Sequence, residues 1–202
     1  VPRNVDPAER RQEVVEAVKR IVVADGLGRV SLREVAAEAD LVVGSVRHYF
    51  ATSGALLVHA FESVVDAVLA RLASAVPEPS GAPLGVGEDE VVAQLCQLLP
   101  LDEERAVDLC VWAEFKLAAR TRPELVATAE RSHRAVAAVV GRSLMALRPG
   151  LGSDVLVREA ERLLATIEGL GLHALLQGRW LDAQLCLDVV RTQVAGIAAG
   201  PH

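Results

Sequence analysis

Apolar residues recur at helical spacing along most of this chain, and no stretch sustains the two-residue alternation of a half-buried strand. Over residues 7–25, Val14, Val15, Val18, Ile21 and Val22 form one stripe, closed by Asp25-Gly26-Leu27-Gly28, a glycine-rich helix end. Residues 31–38 follow as a short helix: Ser31 and Glu34 form the S-x-x-E capping box, and Leu32, Val35, Ala36 and Ala39 keep the period. Ala39-Asp40-Leu41 supplies a tight turn. A second short helix then spans residues 43–49, with Val46 and Phe50 as inward anchors. Further helices are predicted over residues 53–75, 88–99, 102–120, 123–147, 153–178 and 182–198, with breaks at the Pro/Gly-rich 76–87 and at 178–181. The fold class that follows is all-α.

The two short helices around a tight turn read as a helix-turn-helix. Val46 and Phe50 point inward, which leaves Ser45, Arg47, His48 and Tyr49 pointing outward. A hydroxyl, a guanidinium, an imidazole and a phenol suit base edges and phosphate oxygens in a major groove. Similar helix pairs occur in all-α proteins that never touch DNA, so the surrounding helices carry weight: the stripe of residues 7–25 gives the pair a shared core to stand on.

The stretch from Gly26 through Ser31, Val35-Ala36, the turn at Asp40, Tyr49-Phe50 and Leu56-Leu57 resembles the head of the TetR family of bacterial transcriptional regulators. The resemblance implies a three-helix DNA-binding head over residues 1–52. A larger helical ligand-binding and dimerisation domain over residues 53–202 would follow it. It implies contacts to a double-stranded DNA operator from Ser31 and Arg33 at the start of the second helix. Val43, Gly44, Ser45, Arg47, His48 and Tyr49 would contribute from the recognition helix, and Thr52 and Ser53 just after it. Several positions depart from the family pattern. Asp40 stands where the turn usually has Gly, which Asp tolerates better than most residues. Val42 replaces the usual capping hydroxyl, a loss of about 1 kcal/mol. Arg47 stands where Tyr is common, and Ser53 where a phosphate-clamping Lys is typical.

Charge refines this picture. The 202-residue chain has a formal net charge of −6, at first sight wrong for a DNA binder, but the excess acid is not in the head. Residues 1–55 hold eight basic and eight acidic residues, whereas 56–202 hold thirteen against nineteen. Arg3, Arg10, Arg11, Arg29, Arg33 and Arg47 could then cluster on one face. Half of the composition is hydrophobic (51%) and only 3% aromatic, so the core must be built from Leu, Val and Ala.

In the C-terminal part, Leu109 to Leu125 and Glu168 to Leu176 are similar to a TetR subgroup that includes the choline-responsive betaine regulators. Quaternary ammonium recognition favours several aromatics around the cation, and here only Phe61, Trp112, Phe115 and Trp180 are on offer. The effector is therefore an unidentified small molecule. Candidate pocket residues are the polar or soft side chains set in apolar helix faces: His59, Cys96, Cys110, Trp112, Phe115, Met145, Glu168 and His173. Each also has a plainer role, Trp112 and Phe115 as core above all.

The last two helices resemble a dimerisation pair. Leu164, Ile167 and Gly171 lie on the apolar band of the first, and Val189 on a small-residue face of the second. Gly169 and Gly171 in mid-helix suggest close packing against a partner, and a homodimer would double the number of base pairs read. The same faces could instead close the subunit's own core.

Cys96, Cys110 and Cys186 are odd in number and lack metal-ligand spacing, so they read as buried reduced thiols. No cofactor or metal motif appears, nor any nucleophile elbow, P-loop or dinucleotide fingerprint, which argues against an enzyme. No apolar run reaches membrane-spanning length and no leader is visible, so the expected compartment is the cytoplasm. One alternative stays open: a helical ligand-binding or interaction protein whose degraded head, with Val42, Ser53 and no net charge, no longer reads DNA.

Overall fold

The computed structural model describes residues 6–75, 86–177 and 182–200, and among them the regular structure is helical throughout. Helix α1 runs Pro7–Asp25, α2 Leu32–Glu38, α3 Val43–Tyr49 and α4 Ser53–Ser74. Then come α5 Glu88–Leu95, α6 Glu103–Ala118, α7 Pro123–Leu147, α8 Ser153–Leu176 and α9 Ala183–Ala199. The helix expected over 88–99 tightens into a 3-10 turn at Cys96–Leu98 before Pro100, which cannot continue it. Of the predicted breaks, 178–181 and all of 76–87 but its last two residues lie outside the described residues.

Local chemistry sets the boundaries. Asp6 accepts a hydrogen bond from the Ala8 N–H at 2.9 Å, and Pro7 occupies the first helical position of α1. Gly26 closes α1 at φ 79°, a left-handed backbone that suits glycine, while its N–H bonds Val22 O. Ser31 Oγ accepts from the Glu34 N–H at 3.1 Å and opens α2. Asp40, at φ 54°, makes the turn before α3.

The chain packs as two compact units whose division differs from the sequence boundary at residue 52. One comprises residues 1–66 with 110–130, the other residues 67–109 with 131–202. The reason is visible in the first unit. The first half of α4 and the second half of α6 carry core side chains for it: Leu56, Leu57 and Phe61 from α4, Val111 and Phe115 from α6, all fully buried. Phe61 and Phe115 stack face to face, with centroids 4.9 Å apart and planes at 4°.

The second unit has its own core of Leu72, Leu95, Leu99, Val140, Leu144, Leu163, Ile167, Val190 and Val194. Its buried polar groups are paired apart from Arg71 Nε, which finds no hydrogen-bond partner among the described residues. Gln94 donates to Leu72 O at 3.1 Å and accepts from Ser143 Oγ, and the buried Asp108 pairs with Arg71 at 2.8 Å. Arg148 donates to Ile197 O at 3.3 Å and so closes the C-terminal end of α9.

Candidate nucleic-acid interface

Helix α3 is only seven residues long, so its position depends on what it buries. Val46 is fully enclosed and Phe50, its C-terminal cap, is 5% exposed. Between these anchors Arg47 and His48 are exposed, with Ser45 and Tyr49 half-buried beside them. The outward-facing set expected from the sequence is therefore assembled on one short helix. Gly44 is exposed with open space around it. Val42 caps α3 with no side-chain hydrogen bond, as its identity dictates.

Other expected contacts carry structural duties. The Ser31 oxygen is engaged in capping α2. Thr52 Oγ1 accepts from the Ala55 N–H at 3.1 Å and caps α4 in the same way. Ser53, the first residue of α4, is half-buried. Arg33 stands fully outward at the start of α2.

The expected cluster of head arginines is corrected by ion pairing. Arg10 is bound to Glu13 at 2.6 Å, Arg20 to Glu38, and Arg29 to Glu34 more loosely at 3.9 Å. Arg3 lies outside the described residues. Glu9, Glu13, Glu16, Glu38 and Asp40 together line an open groove between α1 and the α2–α3 turn, so acid is collected on that side of the head. Arg33 and Arg47 stay exposed and make no ion pair among the described residues.

One residue the sequence reading passed over lies on α6. The Glu114 carboxylate accepts a hydrogen bond from the Leu27 N–H at 3.3 Å, in the partly buried connection between α1 and α2. Its chain separation of 87 residues hides it from any local pattern.

The expected pocket residues separate. In the first unit His59 packs its ring against Phe50 at 5.2 Å, Phe115 is core, Trp112 is 8% exposed, and Cys110 is half-buried. In the second unit Cys96 is buried and Glu168 half-buried. Met145, 47% exposed, and His173 stand at the surface of the chain, not embedded in the apolar faces of their helices as expected. Helical phase is the reason: at 100° per residue Met145 lies a quarter-turn or more from the buried Leu144, and His173 lies across the helix from the buried Gly171. Burial raises all three thiols, Cys96 to about 11, so the cysteines fit the reading of inert reduced side chains.

The dimerisation expectation also needs correction on α8. Leu164 and Ile167 are 3% and 1% exposed within the single chain. A Cβ on Gly171 would stand 2.6 Å from Leu109 Cδ2, so the close approach that glycine permits is to α6 of the same subunit. The apolar band of α8 closes the subunit's own core. Elsewhere α8 exposes Val157, Ala165, Leu172 and Leu176, and α9 exposes Leu185, Thr192, Gly196 and Ala199 with Val189 half-buried among them.

A trihelical head that presents a short anchored helix with outward Arg and His has the arrangement of a helix-turn-helix. Comparison with known proteins agrees. Residues 87–199 match the family described as BetI-type transcriptional repressor, C-terminal. Over 183 residues the chain is 30% identical to the HTH-type transcriptional regulator PksA of Bacillus subtilis strain 168, covering 87% of this chain and 83% of that protein. A crystal structure of a transcriptional regulator from Rhodococcus sp. Rha1 is similar at a TM-score of 0.81 and 29% identity, covering 94% of this chain and 96% of that one. The multidrug binding protein EbrR complexed with ethidium is similar at a TM-score of 0.64 and 28% identity, covering 94% and 99%. The chain belongs to the TetR family of transcriptional regulators. Regulators of this family bind DNA operators, act as dimers and bind small-molecule effectors. No helix among the described residues is long and apolar enough to cross a membrane.

Proposed function

We propose that this regulator is a homodimeric repressor that leaves its operator when a small molecule binds. Residues 1–52 are the reading head, and residues 53–202 carry effector binding and dimerisation. The observation that carries the reading is the outer face of α3. Ser45, Arg47, His48 and Tyr49 stand around a helix fixed from behind by Val46 and Phe50, with the unpaired Arg33 on α2. Arg47 is the natural base reader, because its fork can bond two acceptors of a guanine edge. Arg33 is the natural phosphate contact.

Support for an effector comes from EbrR, a relative of similar length crystallised with ethidium. An effector must favour the arrangement that cannot bind DNA, since equal affinity for both arrangements shifts nothing. Helix α6 suits the relay: Trp112, Glu114 and Phe115 lie in the same compact unit as the head. The exposed apolar faces of α8 and α9 suit a two-fold helical interface. They replace Leu164, Ile167 and Gly171, and they retain Val189.

Selection of duplexes from a random-sequence pool, followed by band-shift titration and mass measurement of the complex, tests the reading. Enrichment of a site with two-fold symmetry, bound by two chains, is the expected result. Failure to enrich any sequence would overturn it.

A further inference from the structure

Arg10 and Arg11 are adjacent on α1, yet the fold treats them differently. Arg10 has Asp6 and Glu13 at helical spacing and is held by Glu13. The residues three and four positions from Arg11 are Pro7, Ala8, Val14 and Val15, none of them a carboxylate. Arg11 makes no ion pair among the described residues and is exposed. Its guanidinium lies over the ring of Tyr49, 5.6 Å from the centroid. Tyr49 in turn meets His48 edge to face at 5.1 Å. A row of three side chains therefore runs from α1 onto the last turn of the recognition helix, away from the acidic groove that Glu9, Glu13 and Glu16 help to line.

We propose that Arg11 is a phosphate-contacting residue of the operator interface, docked on Tyr49. This rests on the DNA-reading function of α3 proposed above. A guanidinium over an aromatic ring meets it by charge–quadrupole attraction and still has N–H groups to offer an anion. Phosphate oxygens accept those N–H groups in bidentate fashion. The contact fits the position, since Tyr49 belongs to the face that enters the groove and Arg11 reaches it from the neighbouring helix. It also supplies charge where the chain has little: α3 carries Arg47 alone as a fixed cation, and Ser53 at the start of α4 is neutral. The cation–π contact limits the side chain's rotamers before DNA arrives, so less freedom is lost when the phosphate is bound.

The test uses a duplex that the wild-type protein enriches from a random pool, and a scrambled duplex of equal length. Both are titrated across a series of KCl concentrations. With Arg11→Ala the slope of log K against log salt should become shallower by about 1.8, the loss of one phosphate contact from each of the two bound chains. Affinity should fall by a similar factor, about tenfold, on both duplexes, because a phosphate contact carries no sequence information. Arg11→Lys should keep the wild-type slope while binding more weakly, since the charge remains and the bidentate guanidinium edge is lost. Circular dichroism and melting temperature should not change, as the side chain is exposed.

An unchanged slope for Arg11→Ala on a duplex that wild-type binds would overturn the assignment. So would an Arg11→Lys slope equal to that of Arg11→Ala, which would make the role one of packing. If wild-type enriches no duplex, the DNA reading itself fails and this inference with it.

Discussion

Val42 offers a direct experiment on the recognition helix. It occupies the N-cap of α3 at φ −78° and ψ 144°, the extended geometry from which a Ser or Thr side chain would accept a hydrogen bond. Its carbonyl already takes the Ser45 N–H at 2.9 Å and the Val46 N–H at 3.5 Å. The Gly44 N–H, ahead of these, is one of the amides that a helix start leaves without an intrahelical partner. Val42→Thr exchanges a methyl for a hydroxyl of nearly the same shape, placed to receive that N–H. Because Val42 is 72% exposed, little burial is lost and the new hydroxyl stays hydrated on its other side. The full capping range is about 0.5–2 kcal/mol, and with the Ser45 amide already engaged the gain should fall at about 0.5–1 kcal/mol. For a domain of this size that corresponds to a rise in melting temperature of about 1–4 °C. Urea unfolding at fixed protein concentration measures the free energy. Amide exchange at Val46, Arg47 and His48 reports whether the gain is local, and protection there should increase. Operator affinity should hold or improve, because a better-ordered helix gives up less freedom on binding. A melting temperature at or below wild-type, with unchanged exchange in α3, would refute the capping argument.

Three other outcomes are expected. Asp40→Gly should be neutral or stabilise by up to about 1 kcal/mol, because glycine takes the left-handed backbone without strain, whereas Asp40→Val should cost about 1–2 kcal/mol; chemical denaturation of the pair decides it. Glu114→Ala leaves the Leu27 N–H without its acceptor and should cost about 1–3 kcal/mol, with Glu114→Gln recovering most of it as a neutral acceptor, and equal losses for the two variants would place the effect elsewhere. With its thiol at about 11, Cys96 should be alkylated by iodoacetamide at pH 8 far more slowly than an unfolded-chain cysteine, since only about one thiol in a thousand is then ionised, and rapid labelling of Cys96 by mass spectrometry would contradict its enclosure.

The head was legible in the sequence because its determinants are local. Ser31 announces the start of α2, Gly26 the end of α1, and Val46 with Phe50 the inward side of α3, all within a few residues of what they control. Even the departure at Asp40 was readable, since a residue tolerant of positive φ stands where the turn demands it. The faces of α8 were not legible in the same way. Helical spacing gathers Leu164, Ile167 and Gly171 on one apolar side, but it does not say whether the cover comes from the same chain or another; Leu109 opposite Gly171 is information held 62 residues away. The exposure of Met145 and His173 was hard to read for a related reason, since each helical position turns 100° and a close neighbour of a buried residue can face solvent. The different fates of Arg10 and Arg11 were within reach, because the carboxylate three residues on serves only the first of them.

The Glu114 contact to Leu27 has a genetic consequence. The donor is a main-chain amide, so every amino acid except proline at position 27 supplies it, and the acceptor alone is specified by a codon. A search for substitutions that loosen this tie should therefore find them spread widely at residue 114 and confined at residue 27, on hydrogen-bonding grounds, to proline.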